Sequence, residues 1–499
     1  MNSPLHPLAI VDIGSNSVRL VVYEGKTRVP AVVYNEKAMC GLGRNVAVTG
    51  LLAEDSMDHA FKALARYKTI CGLMNLENIQ IMATAAVRDA RNGLDFLDRV
   101  KKLWDVPTEL ISGEREAYLS ALGIASGFYQ PDGVMGDLGG GSLEIANVSS
   151  AKSEKGVSLP LGGLALQDLS GGSLKEALKI THQALRKAEQ QMKSLEGRSF
   201  YAIGGTWRAI AKMHQEMTRY PAHFMHNYVL DVSSTVKFLR QVERSDEQAM
   251  KFVTKDIEEA RRPLLAYGAL VLQEIIKQGK PKNIIISATG VRDGMLFEHL
   301  GERIQSIDPL LDAAERMSLR RSRSPKHGYE LADWLQQFIA SCNLPKLENQ
   351  ERLIRAVCLL SDLSWRSHPD YRAEHSLAQI ACAYFLGVDH PTRAFLALSI
   401  FCRYVGVNGV KDAPQELRIV AGEKLVQFAR LIAAIVRIGY SISVAMAGVL
   451  PRTPLLQVNS EIILTLPKEL EQLANGRLLN RLKQLGKIMD RPVRVELKG

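Results

Sequence analysis

Two short glycine-rich segments lie about 125 residues apart and offer the same chemistry. Asp12-Ile13-Gly14-Ser15-Asn16-Ser17 follows the apolar run Leu8-Ala9-Ile10-Val11, and Asp137-Leu138-Gly139-Gly140-Gly141-Ser142 follows Val134-Met135-Gly136. A turn without bulky side chains lets several backbone N–H groups converge on one anion, while Ser15, Asn16, Ser17 and Ser142 add polar side chains. Each Asp is placed to hold a metal ion that a phosphate also touches, or simply to bond its own turn. Both segments run on into β-branched, apolar sequence at 18–23 and 143–148. A P-loop or a dinucleotide fingerprint would open a helix there, so neither is present. Two phosphate cradles of one design predict a cleft between two halves.

The elements that must position these cradles read as follows. Strands are predicted at 8–14, 18–24, 29–35, 79–84 and 108–111, with helices near 54–73, 92–103 and 114–128. The plan then repeats, with a meander at 133–138, 142–148 and 154–160, helices near 173–194, 233–242 and 257–278, and strands at 200–203 and 283–287. A duplicated three-strand meander with alternating helices and strands implies an α/β chain with two ribonuclease-H-like, actin-type lobes, 1–130 and 131–304. From 305 to 499 helical periods dominate, with strands only near 460–466 and 492–497. The run Arg320-Arg321-Ser322-Arg323-Ser324-Pro325 reads as a boundary or as part of that helical domain.

Composition bounds the rest. With 499 residues, 46% of them hydrophobic, the chain is expected to form two or three globular domains. Its six cysteines contain no C-x-x-C pair, which points to reduced thiols in a cytoplasmic protein and away from a zinc or disulfide framework. No signal peptide is read at the N-terminus. Residues 431–450 are apolar but carry Arg437, favouring a buried helix or helix–turn–helix over a membrane span. The formal net charge is +10, of which about +7 lies beyond residue 300, including Arg316, Arg320, Arg477, Arg481, Lys483 and Lys487. Such a balance suits polyanions, although a solvated basic face gives the same count.

Further segments sharpen the picture: Ala83-Thr84-Ala85-Ala86-Val87-Arg88, Ile111-Ser112-Gly113-Glu114-Arg115-Glu116-Ala117, Ser158-Leu159-Pro160-Leu161-Gly162, Ile203-Gly204-Gly205-Thr206 and Ser287-Ala288-Thr289-Gly290-Val291-Arg292-Asp293-Gly294. Together with the two cradles they resemble the exopolyphosphatase/guanosine pentaphosphatase family (Ppx/GppA) over essentially the whole chain. The resemblance implies an acetate/sugar kinase–Hsp70–actin fold for the two lobes and a degenerate His-Asp hydrolase-like helical domain after them. It implies hydrolysis of a terminal phosphoanhydride assisted by Mg2+, with Mn2+ and K+ as alternatives, and a homodimer. It places the catalytic carboxylate at Glu116, which would accept a proton from the attacking water, and a phosphate-binding Arg at Arg88. Either Glu114 or Glu116 is otherwise explained as a carboxylate favoured at a helix N-terminus.

The resemblance further implies metal ligation by Asp12, Asp137 and Glu144, although Glu144 also reads as an exposed strand residue. Phosphate binding is expected from Gly14, Ser15, Asn16, Ser17, Gly139, Gly140, Gly141, Ser142, Gly205 and Thr206, with Lys37, Arg44 and Arg261 supported by fewer neighbours. In the helical domain Ser361 stands where the His of a His-Asp pair would be, before Asp362, so a second hydrolase site is not expected. That domain would guide a polyanion, build a dimer, or both. The implied substrate is inorganic polyphosphate, with guanosine pentaphosphate as the alternative and no sequence-specific nucleic acid or membrane as partner. A small-molecule kinase, a nucleotide switch or a silent polyphosphate sensor on the same fold are the readings from other classes.

Overall fold

The computed structural model describes residues 6–149, 156–245, 247–253 and 255–498. The chain divides into two compact units, Met1–Ile307 and Asp308–Gly499.

The first unit is built on two sheets. Strands β1 (Leu8–Ile13), β2 (Ser17–Tyr23), β3 (Val32–Met39), β4 (Asn78–Ala83) and β5 (Thr108–Leu110) form one, in the order β3-β2-β1-β4-β5. Strands β6 (Asp132–Leu138), β7 (Leu143–Ser149), β8 (Val157–Leu159), β9 (Ser199–Ile203), β10 (Tyr228–Leu230) and β11 (Asn283–Ile286) form the other, in the order β10-β11-β9-β6-β7-β8. In each, an antiparallel three-strand meander is extended by parallel strands entering beside its first strand, and β10 closes the second sheet antiparallel to β11. This is the ribonuclease-H-like topology of actin and Hsp70 folds, present twice.

The apolar runs explain why the central strands lie inside. In β1, Ala9, Val11 and Ile13 join one core, and Leu8 and Ile10 another on the opposite face. A strand covered on both faces needs a continuous apolar sequence, as 8–11 supplies.

The Gly113–Gly127 helix lies between the sheets. Ala117, Ala121 and Ile124, at helical spacing, pack with Met135, Ala146 and Tyr201 of the second sheet, while Leu119 packs with Leu8, Ile10 and Met82 of the first. The Val291–Glu298 helix presses on it at backbone distance. A Cβ on Gly294 would come within 1.7 Å of the Leu119 carbonyl oxygen, and one on Gly123 within 2.2 Å of the Gly290 oxygen.

The second unit consists mainly of helices, Pro309–Arg321, Pro325–Ser341, Gln350–Leu360, Arg372–Ala381, His390–Val405, Gln415–Ser443 and Gly476–Met489 among them. A small sheet of β12 (Leu455–Val458), β13 (Glu461–Pro467) and β14 (Val493–Lys498) completes it. The Arg320–Pro325 run joins two helices of this unit. Residues 431–443 lie in one buried helix, and no helix among the described residues is long and apolar enough to cross a membrane.

Several elements differ from the sequence reading. Strand β3 covers Val32–Met39, where 29–35 was expected, because β2 pairs with it as far as Ser17↔Met39. The expected helix 257–278 is a 3-10 turn, Glu259–Leu264, followed by the Leu265–Gly279 helix, since Pro263 cannot donate the helical bond. The helix read at 173–194 is broken by the 3-10 turn Arg186–Ala188. Strand β12 was not anticipated, and residues 154 and 155 of the expected strand 154–160 lie outside the described residues.

Gly294→Ala is expected to destabilise the protein by about 3 kcal/mol, the upper part of the overpacking range, because the clash is with backbone and not with a flexible side chain. Thermal unfolding checks this; a melting temperature equal to that of the wild type would show that the two helices separate without cost.

Candidate active site

Each cradle is the turn of a β-hairpin, and the two are built alike. Gly14 N–H donates to the Ser17 carbonyl at 3.0 Å, and Gly139 N–H to the Ser142 carbonyl at 3.0 Å. The turn carbonyls are taken up by flanking backbone. Gly43 N–H reaches the Ser15 oxygen at 2.7 Å, and Cys40 and Gly41 N–H reach the Asn16 oxygen at 3.2 and 3.0 Å. In the second turn the N-terminus of the Gly163–Leu169 helix does the same, with Gly163 N–H on the Gly139 oxygen at 3.1 Å and Leu164 N–H on the Gly140 oxygen at 2.9 Å. In a trans peptide the N–H points opposite to its carbonyl. The amides of Asn16, Ser17, Gly140 and Gly141 are therefore directed away from the elements that hold the turns.

The turns face each other closely. A Cβ on Gly140 would meet the Ser15 Cβ at 3.0 Å, and one on Gly141 would meet the Ser15 Oγ at 2.9 Å. A third turn adjoins them, with Gly204 at φ +113° capping the Gly205–Thr218 helix. In this left-handed region a side chain would be strained, and here it would also strike the Leu138 carbonyl at 2.4 Å.

These turns border a cavity of about 180 Å3 lined by Asp12, Gly14, Ser15, Asn16, Ser17, Asp137, Gly139, Gly140, Gly141, Ser142, Gly205, Thr206 and Glu116. Five cations line the same space: Arg19, Lys37, Arg208, Arg261 and Arg292. Arg292 donates to Asp12 at 2.6 Å, and Glu258 accepts from Lys37 at 2.8 Å and from Arg261 at 3.0 Å. Arg19 is held by the Asn35 amide oxygen at 2.8 Å and Arg208 by the Gly204 carbonyl at 3.3 Å, and neither forms an ion pair among the described residues. Burial, and then the charges of Arg292, Arg19 and Arg261, push Arg208 down to about 10, and burial lowers Arg19 and Lys37 as well.

Glu116 stands in the first turn of the Gly113–Gly127 helix, whose N-cap Ser112 accepts from Arg115 N–H at 3.2 Å. Its side chain is 13% exposed and accepts from Arg88 at 3.3 Å. Burial, and next the Glu144 charge, push its carboxyl well above the ordinary carboxylate range against the pull of Arg88. Burial also raises Asp137, although Ser120 donates to it at 2.7 Å. Glu114, two residues before Glu116, is exposed and away from the cavity.

Three of the residues singled out in the sequence lie elsewhere. Arg88 does not line the cavity; its guanidinium is engaged by Glu116, by the Ile111 carbonyl at 3.2 Å and by Asp89 at 3.2 Å. Arg44 is exposed, with its guanidinium against Gly41. Glu144 is 1% exposed and does not line the cavity; it accepts from Ser158 Oγ at 2.7 Å on the neighbouring strand β8. It is neither an exposed strand residue nor a cavity carboxylate. Burial, chiefly, pushes it up to about 7.

The structure adds Arg19, Arg208 and Arg292. Each had a signal: Arg19 is the hairpin partner of Asp12, Arg208 follows the Gly204-Gly205-Thr206 turn by two residues, and Arg292 sits inside the Ser287–Gly294 segment.

Residues 21–303 match the Ppx/GppA phosphatase family model, and residues 310–495 match the model for the exopolyphosphatase C-terminal region. The chain belongs to the Ppx/GppA phosphatase family. Exopolyphosphatase 1 of Mycobacterium tuberculosis is 24% identical over 326 residues, 63% of this chain and 94% of that protein. A bifunctional 3-dehydroquinate synthase/phosphatase of Fusobacterium nucleatum is 24% identical over 312 residues, 58% of this chain, which spans only 46% of that longer protein. The crystal structure of an exopolyphosphatase from Cytophaga hutchinsonii shares the fold, with TM-score 0.52 and 20% identity, over 60% of this chain and 99% of that one.

The Glu144 environment has a consequence for stability. A carboxyl raised to about 7 from 4.5 gives its full contribution to the fold below about pH 4.5 and loses it as pH rises through 7. Glu144→Gln, which cannot ionise, is expected to melt a few degrees above wild type at pH 8 and with little difference at pH 4.5. Melting curves at both pH values check this; an equal difference at the two would show that Glu144 titrates as an ordinary carboxylate.

Proposed function

We propose that this protein is an exopolyphosphatase that binds the end of an inorganic polyphosphate chain in the cleft of Met1–Ile307 and hydrolyses the terminal phosphoanhydride with water. The observation that carries the reading is a buried carboxylate of raised basicity, Glu116, on the wall of a cavity otherwise lined by five cations and three small-residue turns. The cations neutralise phosphoryl oxygens, with guanidinium groups binding them in pairs. The turn amides directed away from their flanking elements donate to the same oxygens. A small space of about 180 Å3 lined largely by polar and cationic groups suits the end of a phosphate chain. The kinship with Exopolyphosphatase 1 supports the same substrate.

In this reading Glu116 takes the proton of the water that attacks the terminal phosphorus, and the leaving chain departs with the bridging oxygen. A raised pKa is what a base needs near neutral pH, since it then holds the proton it removes. Arg88 positions Glu116 from behind and does not touch phosphate. Asp12 and Asp137 supply hard carboxylate oxygens at the cavity, a donor set that fits Mg2+ completed by water and phosphate oxygens. When bound there, Mg2+ would neutralise charge on the phosphoryl oxygens.

Two variants separate binding from chemistry. Glu116→Gln is expected to bind polyphosphate as wild type does while phosphate release falls by about 10²–10⁴-fold. Arg208→Gln is expected chiefly to weaken binding, by about tenfold or more. Phosphate release with Mg2+ from polyphosphate and from guanosine pentaphosphate, measured in parallel, is the assay. Undiminished turnover in Glu116→Gln removes it as the base, and faster release from the nucleotide overturns the polymer as substrate.

A further inference from the structure

A second gathering of arginines lies wholly within the helical unit, and the proposed reaction leaves it unused. Arg372, Arg403, Arg437, Arg477 and Arg481, with Tyr404 and Tyr440, line a cavity of about 360 Å3. They come from four helices: Arg372–Ala381, His390–Val405, Gln415–Ser443 and Gly476–Met489.

Most of these guanidinium groups are fixed by neutral partners. Arg437 donates to the carbonyls of Arg403 and Tyr404 at 2.8 and 3.3 Å. Arg481 donates to the Arg437 carbonyl at 2.6 Å and to Ser441 Oγ, and Arg372 donates to the Ser367 carbonyl at 3.0 Å. Such bonds fix direction and cancel no charge. Arg403, 8% exposed, packs over the rings of Tyr404 and Tyr440 and reaches Asp362 at 3.4 Å. That carboxylate is already held more closely by Arg323, at 2.7 Å. At the cavity itself the other acid is Asp370, which His368 approaches at 3.7 Å. Arg477 is exposed, and its guanidinium makes no hydrogen bond or ion pair among the described residues.

Five positive charges thus share one cavity with too few carboxylates. The Nε atoms of Arg403 and Arg437 and the Tyr404 hydroxyl are buried without a hydrogen-bond partner. Burial, and then the neighbouring arginines, lower Arg437 and push Arg481 down to about 10. Unpaired buried donors and crowded like charges both cost stability, and one ligand class relieves both: an anion with several acceptor oxygens at guanidinium spacing. A single carboxylate carries too little charge for five arginines, and 360 Å3 admits more than one phosphoryl group.

We propose that this cavity binds a short oligophosphate, a run of two or three phosphoryl groups either free or carried on a nucleotide, as a ligand site additional to the catalytic cleft. The site is one pocket of about 360 Å3 among four helices, with most of its guanidinium groups held in place beforehand, a size that suits a discrete small anion.

Calorimetric titration of the full chain, metal-free and carrying Glu116→Gln to prevent turnover, with tripolyphosphate tests this. Two binding events per chain are expected. Arg477→Glu and, as an independent check on folding, Arg372→Gln are each expected to weaken one event by about tenfold or more without lowering the melting temperature. Arg208→Gln weakens the other. A single event, or two that both survive the Arg477 and Arg372 variants, overturns the proposal. Loss of long-chain polyphosphate binding in those variants with tripolyphosphate unaffected also overturns it, in favour of a polymer-guiding face. Titration with GTP beside tripolyphosphate distinguishes the two sources: tighter binding of GTP assigns a nucleotide, and tighter binding of tripolyphosphate assigns a free phosphate chain.

Discussion

Like charges crowded where water is scarce repel strongly, and the cleft of this protein gathers Arg19, Lys37, Arg208, Arg261 and Arg292 around one small cavity. The fold offsets part of that repulsion. Asp12 neutralises Arg292, and Glu258 is shared between Lys37 and Arg261. Arg19 and Arg208 receive only neutral oxygens, from Asn35 and Gly204, and these are the two whose surroundings most plainly call for an anion. The acids behave in the mirror sense: Glu116, Glu144 and Asp137 are all raised by burial. In the proposed reaction a phosphate chain entering the cleft would supply the negative charge that the cations lack and leave Glu116 free to act as a base.

The internal duplication shows how one hairpin yields two different tools. Asp12 is paired across its hairpin with Arg19, and Asp137 at the equivalent place with Glu144. The register is the same, and so is the bond that closes each turn. The exchange of Arg for Glu changes the function of the partner position. Arg19 becomes part of the cationic wall, whereas Glu144 is drawn to Ser158 on β8 and lends its charge to Glu116 from behind. Two identical halves would surround a phosphate with one kind of group; in the proposed reaction the asymmetry would supply both binding and proton transfer.

Much of this was legible in the residues. The two turns, their strands and the doubled meander followed from apolar runs and glycine, because a strand buried on both faces has few alternative sequences. Glu116 was legible by resemblance, and its place between two sheets follows from Ala117, Ala121 and Ile124 at helical spacing. How the expected Lys37 and Arg261 come to the cavity depends on register and on breaks in helices. Lys37 reaches the cavity because β3 runs to Met39 and sets it across from Arg19, and Arg261 does so because Pro263 turns the expected helix into a 3-10 segment. Arg88 and Glu144 were expected at the cavity and do not line it, although Arg88 bonds Glu116, which does. A strand or helix assignment gives a residue's neighbours, whereas the direction of a long side chain is decided by partners far away, here Ile111 and Ser158.

The ion pair behind the cavity shows why distance matters as much as partner. Arg115 and Glu116 are adjacent on one helix. Arg115 meets Glu298 in a bidentate pair with both bonds at 2.6 Å, the geometry that favours the ionised form most strongly. A pair of that kind on Glu116 would keep it negative and strip it of basicity. Arg88 instead divides its donors among Asp89, the Ile111 carbonyl and Glu116, and reaches Glu116 only at 3.3 Å. Its pull is therefore weaker than the opposing effects of burial and Glu144, and the carboxyl remains raised. The long bond fixes the direction of Glu116 without spending its capacity to take a proton, which is the compromise the proposed role of general base would require.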